Sequence, residues 1–452
     1  MSQSRNIPPT VLIIGSGVFG LGTAYALAQR LEYRNTKITL LDRLEFPAQD
    51  ASSIDSSRIV RPDYPDAAYS KLASQARKYW RRDFGADGRY TESGLCLLLD
   101  ETDENNGRDY LNKSLENVRD KLGLKVGRRE EGGKITVLND LSDIREVIKG
   151  MDGDLGRCGY VNWTSGWAQA EDAMKYLRTL VEETGRVKFR RTELKQLLFK
   201  NGDTVEGAEL TSGEQVTADL TILATGAWTP KFLDLRGIAS ASGQILTYLD
   251  LTQEEQDRLG SNPSILNESN GMFIIQPSNR VLKVARHGYG YANPTTIPHP
   301  ERPESGEEIT VSLPRTKTDD PNLNVPLEGT KACREFLARY LPDLADRPFT
   351  HTRICWYTDT PNSDWLIDYH PKYKGLFVTT GGSGHAYKFL PIIGDRIVDV
   401  LSGKDRNQFG AELRKKWQWP KQKFRQDHVW TDGWRGGRKG MVLDEELTRA
   451  KL

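Results

Sequence analysis

Gly15, Gly17 and Gly20 in the segment GSGVFG, with Asp42 placed 22 residues beyond the last of them, are spaced to hold a pyrophosphate and a ribose. Gly15 permits a tight turn, Gly17 lets backbone amides approach phosphate oxygens, and Gly20 lets a helix pack closely on a strand. Asp42 is placed to accept hydrogen bonds from a ribose 2′-hydroxyl, which favours an adenosine without a 2′-phosphate. This fingerprint alone does not separate NAD from FAD. Far along the chain stand a second glycine-rich segment, GGSGHAYKFLP at residues 381–391, and a TRICWYTDT segment that carries Cys355.

These residues need rigid elements to position them. Residues 11–14 are a short apolar run that reads as a buried strand, residues 21–31 are apolar at helical spacing, and residues 38–41 read as the next strand. The glycines thus fall where a helix N-terminus would face phosphates. Residues 219–224 form a further apolar strand running into Thr225 and Gly226, a second place where backbone approaches a cofactor. Residues 376–380 are a last apolar strand before GGSG, and residues 390–401 read as an amphipathic helix. Between these lie a helix at residues 69–80, an inserted region at residues 92–154 with a short apolar run at 95–99, and short strands at residues 187–189 and 205–210. Residues 244–286 hold alternating segments that suit an antiparallel sheet, the floor of a substrate domain. Residues 294–324, rich in Pro, Glu, Thr and Asp, read as a long surface loop, followed by a helix near residues 330–340. Residues 405–452 read as a charged, Trp-rich surface wrap.

With 452 residues, two intimately joined domains are expected. Sixty-three basic against sixty-two acidic residues leave a formal charge of +1, which offers no electrostatic reason for a nucleic-acid partner. No apolar run approaches the roughly 20 residues that cross a bilayer, so a soluble intracellular protein without a membrane partner is expected. Cys96, Cys158, Cys333 and Cys355 are scattered without CxxC or metal-like spacing, so reduced thiols and no metal site are expected. The chain ends Ala450-Lys451-Leu452, which resembles a peroxisomal import address and implies an import receptor as a partner.

The order of GSGVFG, SSRIVR at residues 56–61, VLKVARH at residues 281–287, RICWYTDT at residues 353–360 and GGSGHAYKF at residues 381–389 resembles the FAD-dependent amine oxidases of the sarcosine oxidase and amadoriase family, saccharopine and pipecolate oxidases included. The resemblance covers nearly the whole chain. It implies an α/β fold of the glutathione-reductase type, with a Rossmann-like FAD-binding domain at residues 1–84, 155–235 and 349–404. An antiparallel-sheet substrate domain would occupy residues 85–154 and 236–348, with residues 405–452 as the C-terminal wrap and targeting tail.

Beside Trp356, a cysteine by itself reads as a core residue. The resemblance makes Cys355 the thioether to the flavin 8α-methyl, hence covalent FAD. Lys283 matches the lysine that assists oxygen reduction, where a fixed positive charge in a dry site stabilises superoxide. His287 matches a histidine near the substrate amine, Arg58 an arginine beside the flavin, and Arg61 one that clamps the substrate carboxylate together with Lys388. His385 and Tyr387 would join them at the substrate. Arg43, Ser52, Ser53, Ser57, Gly226, Gly382 and Gly384 complete the cofactor set with Gly15, Gly17, Gly20, Asp42 and Lys388. The helix after Gly384 would aim its amides at the flavin's pyrimidine edge.

What this implies is a monomeric oxidase that takes a secondary amine, most simply an N-substituted amino acid, and oxygen, and returns an imine and hydrogen peroxide. Sugar-processing amadoriases generally carry lysine where this chain has Arg58, which puts fructosyl substrates in doubt. In GHAYKF, Ala386 and Tyr387 replace the usual Gly and Phe, and Tyr387 would either narrow the pocket or add a hydroxyl. Three alternatives stay open from sequence: a biosynthetic tailoring oxidase whose imine cyclises, an idle flavoprotein serving as a binding module, and an NAD-linked dehydrogenase, which would have no use for Cys355.

Overall fold

The computed structural model describes residues 7–100, 106–405, 407–421 and 427–449. The first apolar run forms the strand Thr10–Ile14, and Gly17 then caps the helix Val18–Gln29. This strand pairs in parallel with Lys37–Asp42 on one side and Leu220–Leu223 on the other. Val187–Arg191 and Leu376–Thr380 extend the sheet in parallel, and Leu366–Tyr369 adds an antiparallel edge, making six strands. The central strands are apolar almost throughout because both of their faces are covered. On one face the helices Val18–Gln29 and Leu390–Ser402 meet backbone to backbone: a Cβ on Gly394 would lie 1.9 Å from the Gly22 carbonyl oxygen. Parallel pairing sets the carboxyl ends of Thr10–Ile14, Leu220–Leu223 and Leu376–Thr380 side by side. The three glycine-bearing turns therefore open onto one crevice, the place where such sheets bind ligands.

A second, ten-stranded sheet supplies the other wall. Its long strand Ser240–Asp250 pairs antiparallel with Val281–Arg286, which carries Lys283, and with His351–Asp359, which carries Cys355. Leu246, Tyr248, Ala285 and Cys355 consequently pack in one buried cluster. The observed arrangement is the expected α/β fold with a second, largely antiparallel sheet.

Cys158–Asn162 pairs with Leu95–Leu99 and Ile135–Leu138, and His351–Asp359 with Ser240–Asp250, so both are strands of the ten-stranded sheet. Several expectations change. Residues 294–324 are not all loop. The hairpin Pro294–Pro298 and Glu308–Ser312 buries Ile309 and Val311 against Ile297, an alternation masked by the polar residues around it. The C-terminal stretch is more than a surface wrap, since the helix Gln408–Trp417 buries Trp417, whose indole donates to the Tyr69 hydroxyl at 3.0 Å. Met441–Val442 then pairs with Tyr291–Ala292 at the edge of the large sheet. Ala450, Lys451 and Leu452 lie outside the described residues. Among the described residues no helix is long and apolar enough to cross a membrane.

Candidate active site

One cavity runs between the two sheets, lined at one end by the glycine fingerprint and at the other by Arg58, Arg61, Lys283, His287, Cys355, His385, Tyr387 and Lys388. At the fingerprint end Gly15 has φ +104°, and a Cβ on it would lie 2.5 Å from the Ala224 carbonyl oxygen. A Cβ on Gly20 would lie 1.8 Å from the Gly15 carbonyl oxygen, so this glycine sits behind the wall and lets the helix approach. Gly17 faces open space, its nearest side-chain neighbour being Ser53 Oγ, 4.0 Å from where a Cβ would stand. Gly226, at φ +54°, has nothing within 4 Å of such an atom. The Val18–Gln29 helix has no side-chain cap and no acid in its first turn, which leaves its amides for an anion.

Asp42 faces the same space, and its Oδ2 accepts from the Ser16 amide at 2.7 Å and the Ser16 hydroxyl at 2.6 Å. Arg43 pairs with Asp50 and with Asp319, the latter at 2.9 Å, and lies 5.0 Å from the Trp228 ring centre. Ser52 and Ser53 also line the cavity. Ser57 does not; its carbonyl accepts from Lys283 Nζ at 3.0 Å.

At the reactive end, Cys355 is buried and receives a contact from Arg58 Nη2 at 3.7 Å. Arg58 also donates to the Ser52 carbonyl at 2.8 Å. Lys283 is buried, and its ammonium pairs with Asp55. Asp55 simultaneously pairs with Arg58 and accepts from the Tyr248 hydroxyl at 2.6 Å and the Ser56 amide at 2.7 Å. Lys283 and Arg58 therefore share one carboxylate.

Arg61 and Lys388 have no such partner. Among the described residues the hydrogen bonds of Arg61 run to the Asp63 carbonyl and to the Tyr110 hydroxyl at 2.8 Å. Those of Lys388 run to the Tyr64 hydroxyl at 2.8 Å and the His385 carbonyl at 2.9 Å. His385 stands behind this lysine: Nε2 donates to the Ser363 carbonyl at 2.9 Å, which leaves Nδ1 to accept from Tyr64 at 3.1 Å. Expected at the substrate, its nitrogens are instead engaged in orienting Tyr64 and, through it, Lys388. The Tyr387 hydroxyl donates to the Ala170 carbonyl at 2.8 Å, so Tyr387 offers the cavity its ring and not a free hydroxyl. Gly382 and Gly384 form the adjoining turn, and a Cβ on Gly384 would meet the Tyr357 ring at 2.4 Å.

The family model described as FAD dependent oxidoreductase matches residues 10–400. The chain belongs to this family. The oxidoreductase is 31% identical to the amino acid oxidase imqH of Aspergillus flavus, over 91% of this chain and 98% of the relative. It is 29% identical to the L-saccharopine oxidase of Schizosaccharomyces pombe, over 91% and 93% respectively. Among solved structures it resembles the fructosamine oxidase Amadoriase II of Aspergillus fumigatus in complex with FSA, with a TM-score of 0.77 and 27% identity over 95% of this chain and 94% of that one. The expected family is borne out, and FAD is the cofactor it implies. The residues present fit that group: an open glycine cradle under an uncapped helix end, with Asp42 beyond it.

The electrostatics of the oxidoreductase's reactive end follow from burial. Burial works against the Arg61 charge, yet Tyr110, Glu268, Tyr64 and Asp63 raise its pKa above the ordinary value and keep it cationic. Burial and then Arg61 push the Lys388 ammonium well below its ordinary range. His287 is pushed well below its usual value by burial, and then by Arg435, Arg61, His385 and Lys388, so its imidazole is neutral. Its ring lies 5.9 Å from Tyr357 and 5.8 Å from Trp434. Burial, then Arg58 and Arg353, lower the Lys283 ammonium too, with Cys355 acting the other way, and the Asp55 carboxylate stands in contact with it. Asp55, Tyr64, Tyr110 and Tyr248 escape a reading of the sequence. The only signal was an acid three residues before Arg58 in a Ser-rich loop. Among the described residues no group of three or more His, Cys, Asp or Glu is arranged to hold a metal ion.

Proposed function

We propose that the oxidoreductase oxidises a secondary amine bearing a carboxylate, an N-substituted amino acid, to an imine with release of hydrogen peroxide. The observation that carries this reading is the pair Arg61 and Lys388. Both are buried and line the cavity, Arg61 as a cation and Lys388 as an amine whose protonation burial and Arg61 disfavour, and their hydrogen bonds run to neutral oxygens. An arriving carboxylate would pair with the Arg61 fork and favour the protonated form of Lys388, a gain that a neutral group would not give. FAD, when bound, would supply the acceptor for a hydride from the carbon beside the amine nitrogen and the route for both electrons to dioxygen. Gly15, Gly17 and the Val18–Gln29 helix end would hold its pyrophosphate, with Asp42 toward the ribose. The cations around the neutral His287 disfavour an ammonium, so the substrate is held as the free amine that can give up hydride. Lys283 supplies the charge for oxygen reduction.

The names of the relatives, an amino acid oxidase, a saccharopine oxidase and a fructosamine oxidase, support this class of substrate. The test is peroxide release by the purified protein from sarcosine, larger N-methyl amino acids, saccharopine and fructosyl amino acids, each against the same amine without its carboxylate. Peroxide from the carboxylate series alone is expected, with fructosyl compounds weakest because Arg58 stands in the place of lysine. A flavin-loaded protein that releases none would leave the idle flavoprotein as the better reading.

The same proposal includes a thioether between Cys355 and the flavin, on a monomer delivered to peroxisomes through Ala450-Lys451-Leu452. Burial of Cys355 at the cavity wall, with Arg58 Nη2 3.7 Å from its sulfur, supports the tether. Acid precipitation of the protein should give a yellow pellet, and Cys355→Ala a colourless pellet with yellow supernatant. Flavin retained in the Cys355→Ala pellet would assign the attachment to another residue.

A further inference from the structure

We infer that Asp55 is a positioning residue for oxygen reduction: its carboxylate pins the Lys283 ammonium beside the Ser57 carbonyl and retains its proton, at the same time holding Arg58 against Cys355. The inference rests on the oxidase reading above, and it uses no residue of the carboxylate receptor.

The Asp55 side chain is 1% exposed and that of Lys283 2%. A carboxylate so deeply buried persists only when its oxygens are paired and hydrogen-bonded. Asp55 meets that condition with four donors, Lys283, Arg58, Tyr248 and the Ser56 amide. They converge from the Ser57–Val60 strand and its approach, from Ser240–Asp250 and from Val281–Arg286. The titratable groups around the ammonium are Asp55, Arg58 and Tyr248, together with Arg353 and Cys355 of the His351–Asp359 strand. Arg353 fastens the loop itself, donating to the Ile54 carbonyl at 3.0 Å and the Ala51 carbonyl at 3.1 Å. Asp55 is thus the sole carboxylate in that group, and it pairs with two of its three cations, Lys283 and Arg58.

Without its charge, the buried Lys283 ammonium would confront the half-buried Arg58 guanidinium with no anion between them. Guanidinium does not give up its proton, so the ammonium of Lys283 must. Two functions of the site are divided by this arrangement. Arg58 and Lys283 are satisfied from within and remain where the electrons pass to oxygen, whereas Arg61 and Lys388 are left for the substrate's carboxylate.

The test uses the flavin-loaded protein, reduced with dithionite and mixed with oxygen, so that no amine substrate is needed. In Asp55→Asn the ammonium loses its proton at lower pH than in the parent. Reoxidation is then expected to fall as pH rises through the neutral to alkaline range, toward the rate of Lys283→Met, a loss of about 10²-fold or more. Lowering the pH should restore it, and Asp55→Glu should stay near the parent profile. Acetate, titrated through the flavin absorbance, should bind Asp55→Asn as it binds the parent. A pH-independent loss, no loss, or loss of acetate binding with it would overturn the inference in favour of a purely structural acid. Should Asp55→Asn fail to fold, the double variant Asp55→Asn/Lys283→Met is expected to reoxidise at the rate of Lys283→Met alone, and a further fall would count against the inference. Absence of turnover with every amine would defeat the oxidase reading and leave this measurement intact.

Discussion

Lys283→Met is expected to slow reoxidation of the flavin by oxygen by about 10²–10³-fold and to leave reduction by substrate nearly unchanged. The lysine is buried in the cavity wall, and its charge is held by Asp55 and the Ser57 carbonyl. A fixed charge in a site that excludes water needs no reorganisation when electrons arrive at oxygen, which is why one such group carries so large an effect. Methionine keeps the length and apolar stem of the side chain, so the walls around it need not repack. Asp55 keeps Arg58, Tyr248 and the Ser56 amide in this variant, and the acid is not stranded. Stopped-flow measurement of the two half-reactions separates the outcomes: equal slowing of both would remove Lys283 from the role of oxygen activator.

Arg61→Ala should lower kcat/KM for an N-substituted amino acid by about 10²–10³-fold, because truncating one partner of a buried charge pair costs about 2–5 kcal/mol. Most of the loss should fall on KM, since the carboxylate is held in the ground state and in the transition state alike. Arg61 is supported by the Tyr110 hydroxyl at 2.8 Å and lies 5.3 Å and 5.5 Å from the Tyr64 and Tyr110 ring centres, a geometry that fixes its planar fork. Lys388 remains in the variant, relieved of the Arg61 charge that disfavours its ammonium, and accounts for residual binding. The decisive control is the corresponding amine without a carboxylate, a poor substrate that the substitution should barely affect. A similar loss with that amine would mean that Arg61 shapes the cavity and does not read the carboxylate.

The parts of this site that were legible are those whose meaning is local. Gly15, Gly17 and Gly20 take their roles from a strand, a turn and a helix contiguous in the chain, and the observed strand Thr10–Ile14 and helix Val18–Gln29 differ from the expected ranges by a few residues at their ends. The strand Leu376–Thr380 before the second glycine turn coincides with residues 376–380 as read. Cys355, Lys283, Arg61 and Lys388 were singled out by the segments around them, which carry a family resemblance that burial and periodicity do not supply.

Other residues were silent for a physical reason. Asp55 acquires its place from Lys283 and Tyr248, which are 228 and 193 residues away, and an acid in a Ser-rich loop carries no trace of them. His385 and Tyr387 illustrate the converse. Both line the cavity, and what their motif does not carry is that Ser363 and Tyr64 take the nitrogens of one and the Ala170 carbonyl takes the hydroxyl of the other. The hairpin within residues 294–324 was lost in its polar composition, because burial of Ile309 and Val311 depends on which surface the chain happens to cross.

By itself, then, the sequence determined the nucleotide-binding unit, the family and the roster of charged groups, since each depends on short-range spacing or on motif order. Which of these groups meet Asp55 was decided only by the tertiary structure. Its buried carboxylate is in contact with Lys283 and Arg58, whereas the hydrogen bonds of Arg61 and Lys388 run elsewhere, and such pairing is a property of distance in space.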